Sequence, residues 1–203
     1  MIAQAAHPCW SCKGPVPAGA PFCSTCEAVQ PPGQVDHFAR LSVEARYELD
    51  LAELDRRYFA LQRRLHPDRF ATRTPRERAL SQQQATSLNE AYETLKDPLR
   101  RADYLVHLKG AGVLPEGCDL IADPVVLMEA MEMRERLGET ESPAEVDAIA
   151  DETSRDMRNC VDELRSAFAA NELATACRLT TRLKYLTKLA GEVKARRARL
   201  AAS

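Results

Sequence analysis

Apolar residues recur along most of this chain at intervals of three and four, the spacing of one helix face. Leu51, Leu54, Tyr58, Leu61 and Leu65 form one stripe; Val146, Ile149, Thr153, Met157, Cys160, Leu164 and Phe168 form a longer one. Leu179, Leu183, Leu186 and Val193 form a third. Start signals precede these stretches. Asp50-x-x-Glu53 and Thr74-Pro75-Arg76-Glu77 read as capping boxes, the second with proline at the first helical position. Asp97-Pro98, Asp123-Pro124 and Ser142-Pro143-Ala144-Glu145 repeat the device, and Asn171 is placed to cap a last helix. With scarce glycine and no run of β-branched residues, the pattern predicts an all-α fold. A helix over 50–65 ends at His66, because Pro67 disfavours helical geometry before it and lacks a donor. A second helix over 75–96 then returns antiparallel.

Glycine and proline cluster at Gly110-Ala-Gly112-Val-Leu-Pro115-Glu-Gly117, which predicts a break. The expected organisation is a cysteine module over 1–34, a helical domain over 36–110, a linker over 111–117 and a three-helix bundle over 118–203.

The first 34 residues have no helical period. They carry Cys9-Trp-Ser-Cys12 and Cys23-Ser-Thr-Cys26, ten residues apart, among glycines and six prolines that supply turns. Two such pairs can close a tetrahedral four-thiolate site. So short a segment buries too little to fold unaided, so a bound metal would stabilise it. Zinc suits a closed thiolate site; a rubredoxin-like iron site would use the same ligands. His7 lies outside an already complete quartet. Absence of a secretory leader argues against disulfides, and Cys118, Cys160 and Cys177 read as small apolar side chains. Four protein ligands leave no open position for substrate, so the centre reads as structural.

Net charge is −2, unevenly spread. Residues 111–160 carry 4 basic against 13 acidic groups and residues 161–203 carry 9 against 4, a split that neighbouring helices can neutralise. No basic stripe marks a nucleic-acid binder. A zinc-ribbon nucleic-acid or transcription-associated protein remains the alternative, although residues 1–34 offer only Lys13, Trp10 and Phe22 for phosphate and base contact. No segment reaches transmembrane length, and no signal peptide or presequence opens the chain, so a cytoplasmic location is expected.

His66-Pro67-Asp68 falls at the tip of the expected hairpin, after a helix showing Arg56, Arg57, Arg63 and Arg64 off its apolar stripe. A catalytic reading needs a nucleophile and a pocket, and neither is evident. The segment from Gln62 through His66-Pro67-Asp68 to Phe70, with Leu88-Asn89-Glu-Ala91-Tyr92-Glu-Thr-Leu95, closely resembles a J domain. That resemblance implies that the triplet and the four arginines dock on the ATPase domain of a heat-shock chaperone of the DnaK or HscA type. The partner, not this chain, would hydrolyse ATP.

The stretch 126–137 has two apolar faces when projected at about 100° per residue. Val126, Ala130, Met133 and Leu137 suit the bundle core; Leu127, Met128 and Met131 lie opposite, beside Glu132 and Glu135. Methionines bordered by carboxylates suit a partner site; packing on the J-like domain or within a dimer is the alternative. Tyr185 lies off the core stripe and is placed to extend the patch. Pro98-Leu-Arg-Arg-Ala-Asp-Tyr-Leu, Leu127-Met-Glu with Arg134-Glu, and Leu183-Lys-Tyr-Leu-Thr-Lys-Leu189 resemble HscB, the J-type co-chaperone of iron–sulfur cluster assembly. The resemblance implies that Leu127, Met128, Met131, Glu132, Glu135 and Tyr185 bind an IscU-type scaffold. Met131 replaces a leucine of that pattern and Tyr185 a phenylalanine. The cysteine module resembles the N-terminal extension of metazoan and some bacterial forms.

Overall fold

The computed structural model describes residues 6–110 and 124–201. Two short strands, β1 (His7–Pro8) and β2 (Pro15–Val16), pair antiparallel beneath the cysteine turns. Then come α1 (His37–Arg40), α2 (Leu51–Leu65), a 3-10 turn (Pro67–Phe70), α3 (Pro75–Lys96), α4 (Pro98–Gly110), α5 (Pro124–Glu139), α6 (Pro143–Ala169) and α7 (Leu173–Leu200). The fold is all-α, as expected: a helical hairpin and a three-helix bundle, preceded by a small tetracysteine module. The expected linker 111–117, Cys118 and the Asp123 cap lie outside the described residues. Among the described residues, no helix is long and apolar enough to cross a membrane.

The chain divides into two compact units, residues 1–45 with 49–97 and residues 46–48 with 98–203. In the first, α2 and α3 form the antiparallel hairpin. Leu54 and Leu65 of α2 bury with Leu88, Ala91, Tyr92 and Leu95 of α3. Leu51 begins the expected stripe but is 43% exposed, and Phe59, off that stripe, is 49% exposed. Tyr58 stacks on Tyr92 with ring centroids 3.8 Å apart, and Tyr92 donates to Asp55 at 2.8 Å. Thr74 completes its capping box with Glu77. Asp50 caps α2 through the amides of Ala52 and Glu53, but Glu53 does not return the bond. Its carboxylate turns to Arg56 and Arg57 instead, Arg57 at 2.6 Å.

In the second unit, α5, α6 and α7 share a core of Leu137, Val146, Ile149, Leu189 and Val193. Buried Thr153 and Thr180 donate to carbonyls one turn back, Ile149 and Ala176, and so carry no unmet donor. Cys160 is buried and directs its thiol at the Leu179 carbonyl, 3.3 Å away. Cys177 is buried but disulfide-bonded, which corrects its reading as a plain small apolar side chain. The charge split along the sequence resolves into ion pairs: Glu129 of α5 with Arg182 of α7 at 3.2 Å, and Asp147 of α6 with Arg197 of α7. Lys184 of α7 reaches Asp103 of α4 at 2.9 Å.

Asn171 does not cap α7. It sits at φ +57° just past α6. The amide of Asn171 bonds the Phe168 carbonyl and that of Glu172 bonds the Ala167 carbonyl at 2.9 Å. This is a Schellman ending, for which asparagine is the usual substitute for glycine. Ser142 stands at the start of α6 without a side-chain cap bond. The tripeptide Arg46–Glu48 packs within this unit: Tyr47 is buried, stacks on Phe168 at 5.1 Å and lies under Arg101 at 5.0 Å.

Candidate functional sites

The cysteine module is built from one turn used twice. Lys13 N–H bonds the Cys9 carbonyl and Cys9 N–H bonds the Gly14 carbonyl; Glu27 and Ala28 repeat both bonds with Cys23. Lys13 at φ +66° and Glu27 at φ +58° close each turn in the left-handed region. That geometry aims an amide at the first sulfur of each pair, Ser11 at Cys9 and Thr25 at Cys23. The four sulfurs lie within 4.8 Å of one another, with Cys9–Cys26 and Cys12–Cys23 both at 3.7 Å. Tetrahedral coordination with metal–sulfur bonds of about 2.3 Å places sulfurs about 3.8 Å apart, whereas a disulfide needs about 2.05 Å. All four are free thiols. Burial pushes the Cys9 thiol up, but amides of Cys12 and Ser11 outweigh it and bring it to about 6. The Gly14 amide favours a Cys12 thiolate, yet the neighbouring sulfurs, Cys26 foremost, push it up to about 12. Four thiolates together need a cation. Cys9, Cys12, Cys23 and Cys26 are thus positioned to hold a metal ion.

The module is packed onto the hairpin within one unit. Arg64 of α2 lies 4.6 Å over the Phe22 ring, and Arg76 of α3 lies 4.5 Å over Trp10. Trp10 in turn donates to the Val29 carbonyl at 2.6 Å. Gln84 of α3 donates to the backbone carbonyl of Gln30 at 2.8 Å. Sequence reasoning missed Gln30 and Gln84, since a glutamine carries no ligand signal and the pair is 54 positions apart.

Just past Arg64, Pro67 stops α2 at its C-terminal end and the chain turns into the 3-10 segment. Ser81 of α3 donates to the Leu65 carbonyl at 2.7 Å, satisfying the helix end. His66 caps the 3-10 turn: its Nδ1 accepts from the Asp68 amide at 3.3 Å and lies 3.5 Å from the Asp68 carboxylate. Phe70 is buried and anchors the turn, while His66, Pro67 and Asp68 are exposed, the Asp68 side chain at 90%. The four arginines differ. Arg56 and Arg57 share Glu53, whose carboxyl Arg57 and then Arg56 hold below the usual carboxylate range. Arg64 lies against the metal module, and Arg63 is exposed.

On α5, Val126 and Leu137 are buried as the wheel requires. Met128 is 62% and Met131 69% exposed, Glu132 and Glu135 are exposed, and Leu127 is half-buried. Tyr185 is half-buried and lines a cleft between α5 and α7 with Glu129, Ala130 and Arg134. Arg134 is held there by Glu192 at 3.0 Å.

Comparison with known proteins follows the same outline. The DnaJ domain model matches residues 36–104, and the model of the HSCB C-terminal oligomerisation domain matches residues 122–194. The Mus musculus iron–sulfur cluster co-chaperone protein HscB is 35% identical over 190 residues, 92% of this chain and 81% of the mouse protein. A Vibrio cholerae co-chaperone protein HscB homolog is 38% identical over 164 residues, 79% of this chain and 95% of its own. The crystal structure of human co-chaperone protein HscB matches with a TM-score of 0.83 at 34% identity, covering 92% of this chain and 96% of that one. This chain belongs to the HscB family of iron–sulfur cluster co-chaperones, with a tetracysteine cluster ahead of its J domain.

Proposed function

We propose that this protein is a non-enzymatic co-chaperone that binds an IscU-type iron–sulfur scaffold, delivers it to an HscA- or DnaK-type chaperone and stimulates that chaperone's ATP hydrolysis. The observation that carries this reading is His66-Pro67-Asp68 held in the open at the hairpin tip, in a chain of the HscB family. His66, Pro67 and Asp68 engage the chaperone. Arg63 offers charge beside them, with Arg56 and Arg57 poised through Glu53 and Arg64 bordering the metal module. Leu127, Met128, Met131, Glu132 and Glu135 hold the scaffold, with Tyr185 at the α5–α7 cleft. A client bound to the same molecule meets the chaperone at high effective concentration.

The four thiolates hold zinc as a structural ion, which suits a closed, redox-silent site. The four module cysteines are free, as thiolate ligands must be, and we place the protein in the cytoplasm. A nucleic-acid role draws little support, because Arg76 and Arg64 already cover a face of Trp10 and of Phe22. The test replaces His66 with glutamine. His66→Gln should abolish ATPase stimulation while scaffold affinity stays unchanged; retained stimulation refutes the assignment.

A further inference from the structure

Gln30 is fully buried, yet it is not a metal ligand and not part of the hairpin. Its side-chain nitrogen donates twice, to the Cys9 sulfur at 3.2 Å and to the Ala28 carbonyl at 2.8 Å. Its side-chain oxygen is buried with no hydrogen-bond partner. The chemistry fixes this orientation. Flipping the amide would aim its oxygen at a thiolate sulfur and a carbonyl oxygen, two acceptors. The fold thus leaves one buried acceptor unmet in order to point both N–H groups inward, where a plain apolar side chain would avoid the penalty altogether.

The same residue is gripped from outside the module. Gln84, 2% exposed on α3, donates its side-chain amide to the Gln30 backbone carbonyl at 2.8 Å. A continuous path therefore runs from α3 through Gln84 and Gln30 to the Cys9 sulfur. Ser81, one turn before Gln84, holds the Leu65 carbonyl beside His66.

We propose that Gln30 is a positioning residue for the metal centre, and that Gln84 and Gln30 together couple metal occupancy to the order of α3. Resting on the metal-site reading of the four thiolates, the inference adds two residues and a direction of influence. The Gln30 N–H stabilises the Cys9 thiolate against its three neighbours, and Gln84 fixes Gln30 in the register that allows it. Partners of this kind that orient ligands usually change metal affinity about 10- to 100-fold when removed.

The test uses the full chain loaded with cobalt(II), whose thiolate charge-transfer bands report the sulfurs directly. Gln30→Met keeps the volume and removes the donor. It should lower cobalt affinity about tenfold or more in chelator competition and shift those bands. Gln84→Met should lower affinity while leaving four-thiolate bands in place. Chelating the metal from the unaltered protein should speed amide exchange in α3 around Ser81–Leu88, and should do so much less in Gln84→Met. Unchanged affinity and bands in Gln30→Met overturn the positioning role. Unchanged α3 exchange on chelation overturns the coupling. Absence of any thiolate–cobalt bands in the unaltered protein overturns the metal reading itself, a separate result.

Discussion

Thr74 and Asp50 begin two helices with the same four-residue pattern and end up with different bonds. Thr74 and Glu77 exchange both bonds of the capping box. Glu53 has arginines three and four residues on, and their guanidiniums win its carboxylate from the Asp50 amide. Thr74→Ala should therefore cost about 1 kcal/mol in urea unfolding; a cost near zero would mean that the box adds nothing here. The spacing of each cap is legible in the sequence, but competition for one carboxylate is not. Asn171 teaches the same lesson: asparagine suits a helix start and a left-handed helix end equally, and only the bonds to Phe168 and Ala167 decide between them. Gln30 was illegible for another reason, since its partner arrives from 54 residues away.

Helices were the most legible level, because burying one face imposes a period. The α6 stripe is buried from Val146 to Phe168, with only Met157 half-exposed. Leu164, fully buried, should cost about 2–5 kcal/mol as Leu164→Ala; a cost under 1 kcal/mol in urea unfolding would show that α6 is loosely packed. The α5 patch behaves oppositely. Met128→Ser with Met131→Ser removes side chains 62% and 69% exposed, so stability should change by no more than about 0.5 kcal/mol per site. Scaffold affinity should nevertheless fall at least tenfold by titration calorimetry. Undiminished affinity would sink the patch assignment, and a loss of self-association instead would make a second copy its occupant. The α2 stripe is the least regular, since Leu51 faces solvent and Phe59 joins the aromatic cluster of Tyr58 and Tyr92 from outside it.

At the scale of the molecule, the units do not follow the order in which the sequence presents its motifs. The metal module shares a unit with the hairpin, through Arg64, Arg76 and Gln84. Helix α4 and the tripeptide around Tyr47 belong with the bundle, through Asp103–Lys184 and the Tyr47–Phe168 stack. Such contacts join residues far apart in sequence and leave no period to read. What the sequence does carry is the chemistry of each surface: a thiolate quartet, an exposed triplet and a methionine–carboxylate face. The central claim is that one molecule joins a scaffold to a chaperone ATPase. Steady-state ATP hydrolysis by the same organism's HscA- or DnaK-type chaperone tests it most directly, with this protein and an IscU-type scaffold added singly and together. Stimulation by both that exceeds the sum of each, and that disappears with His66→Gln, is the predicted result. Equal stimulation by the His66→Gln protein, or no stimulation with any such chaperone, would contradict it.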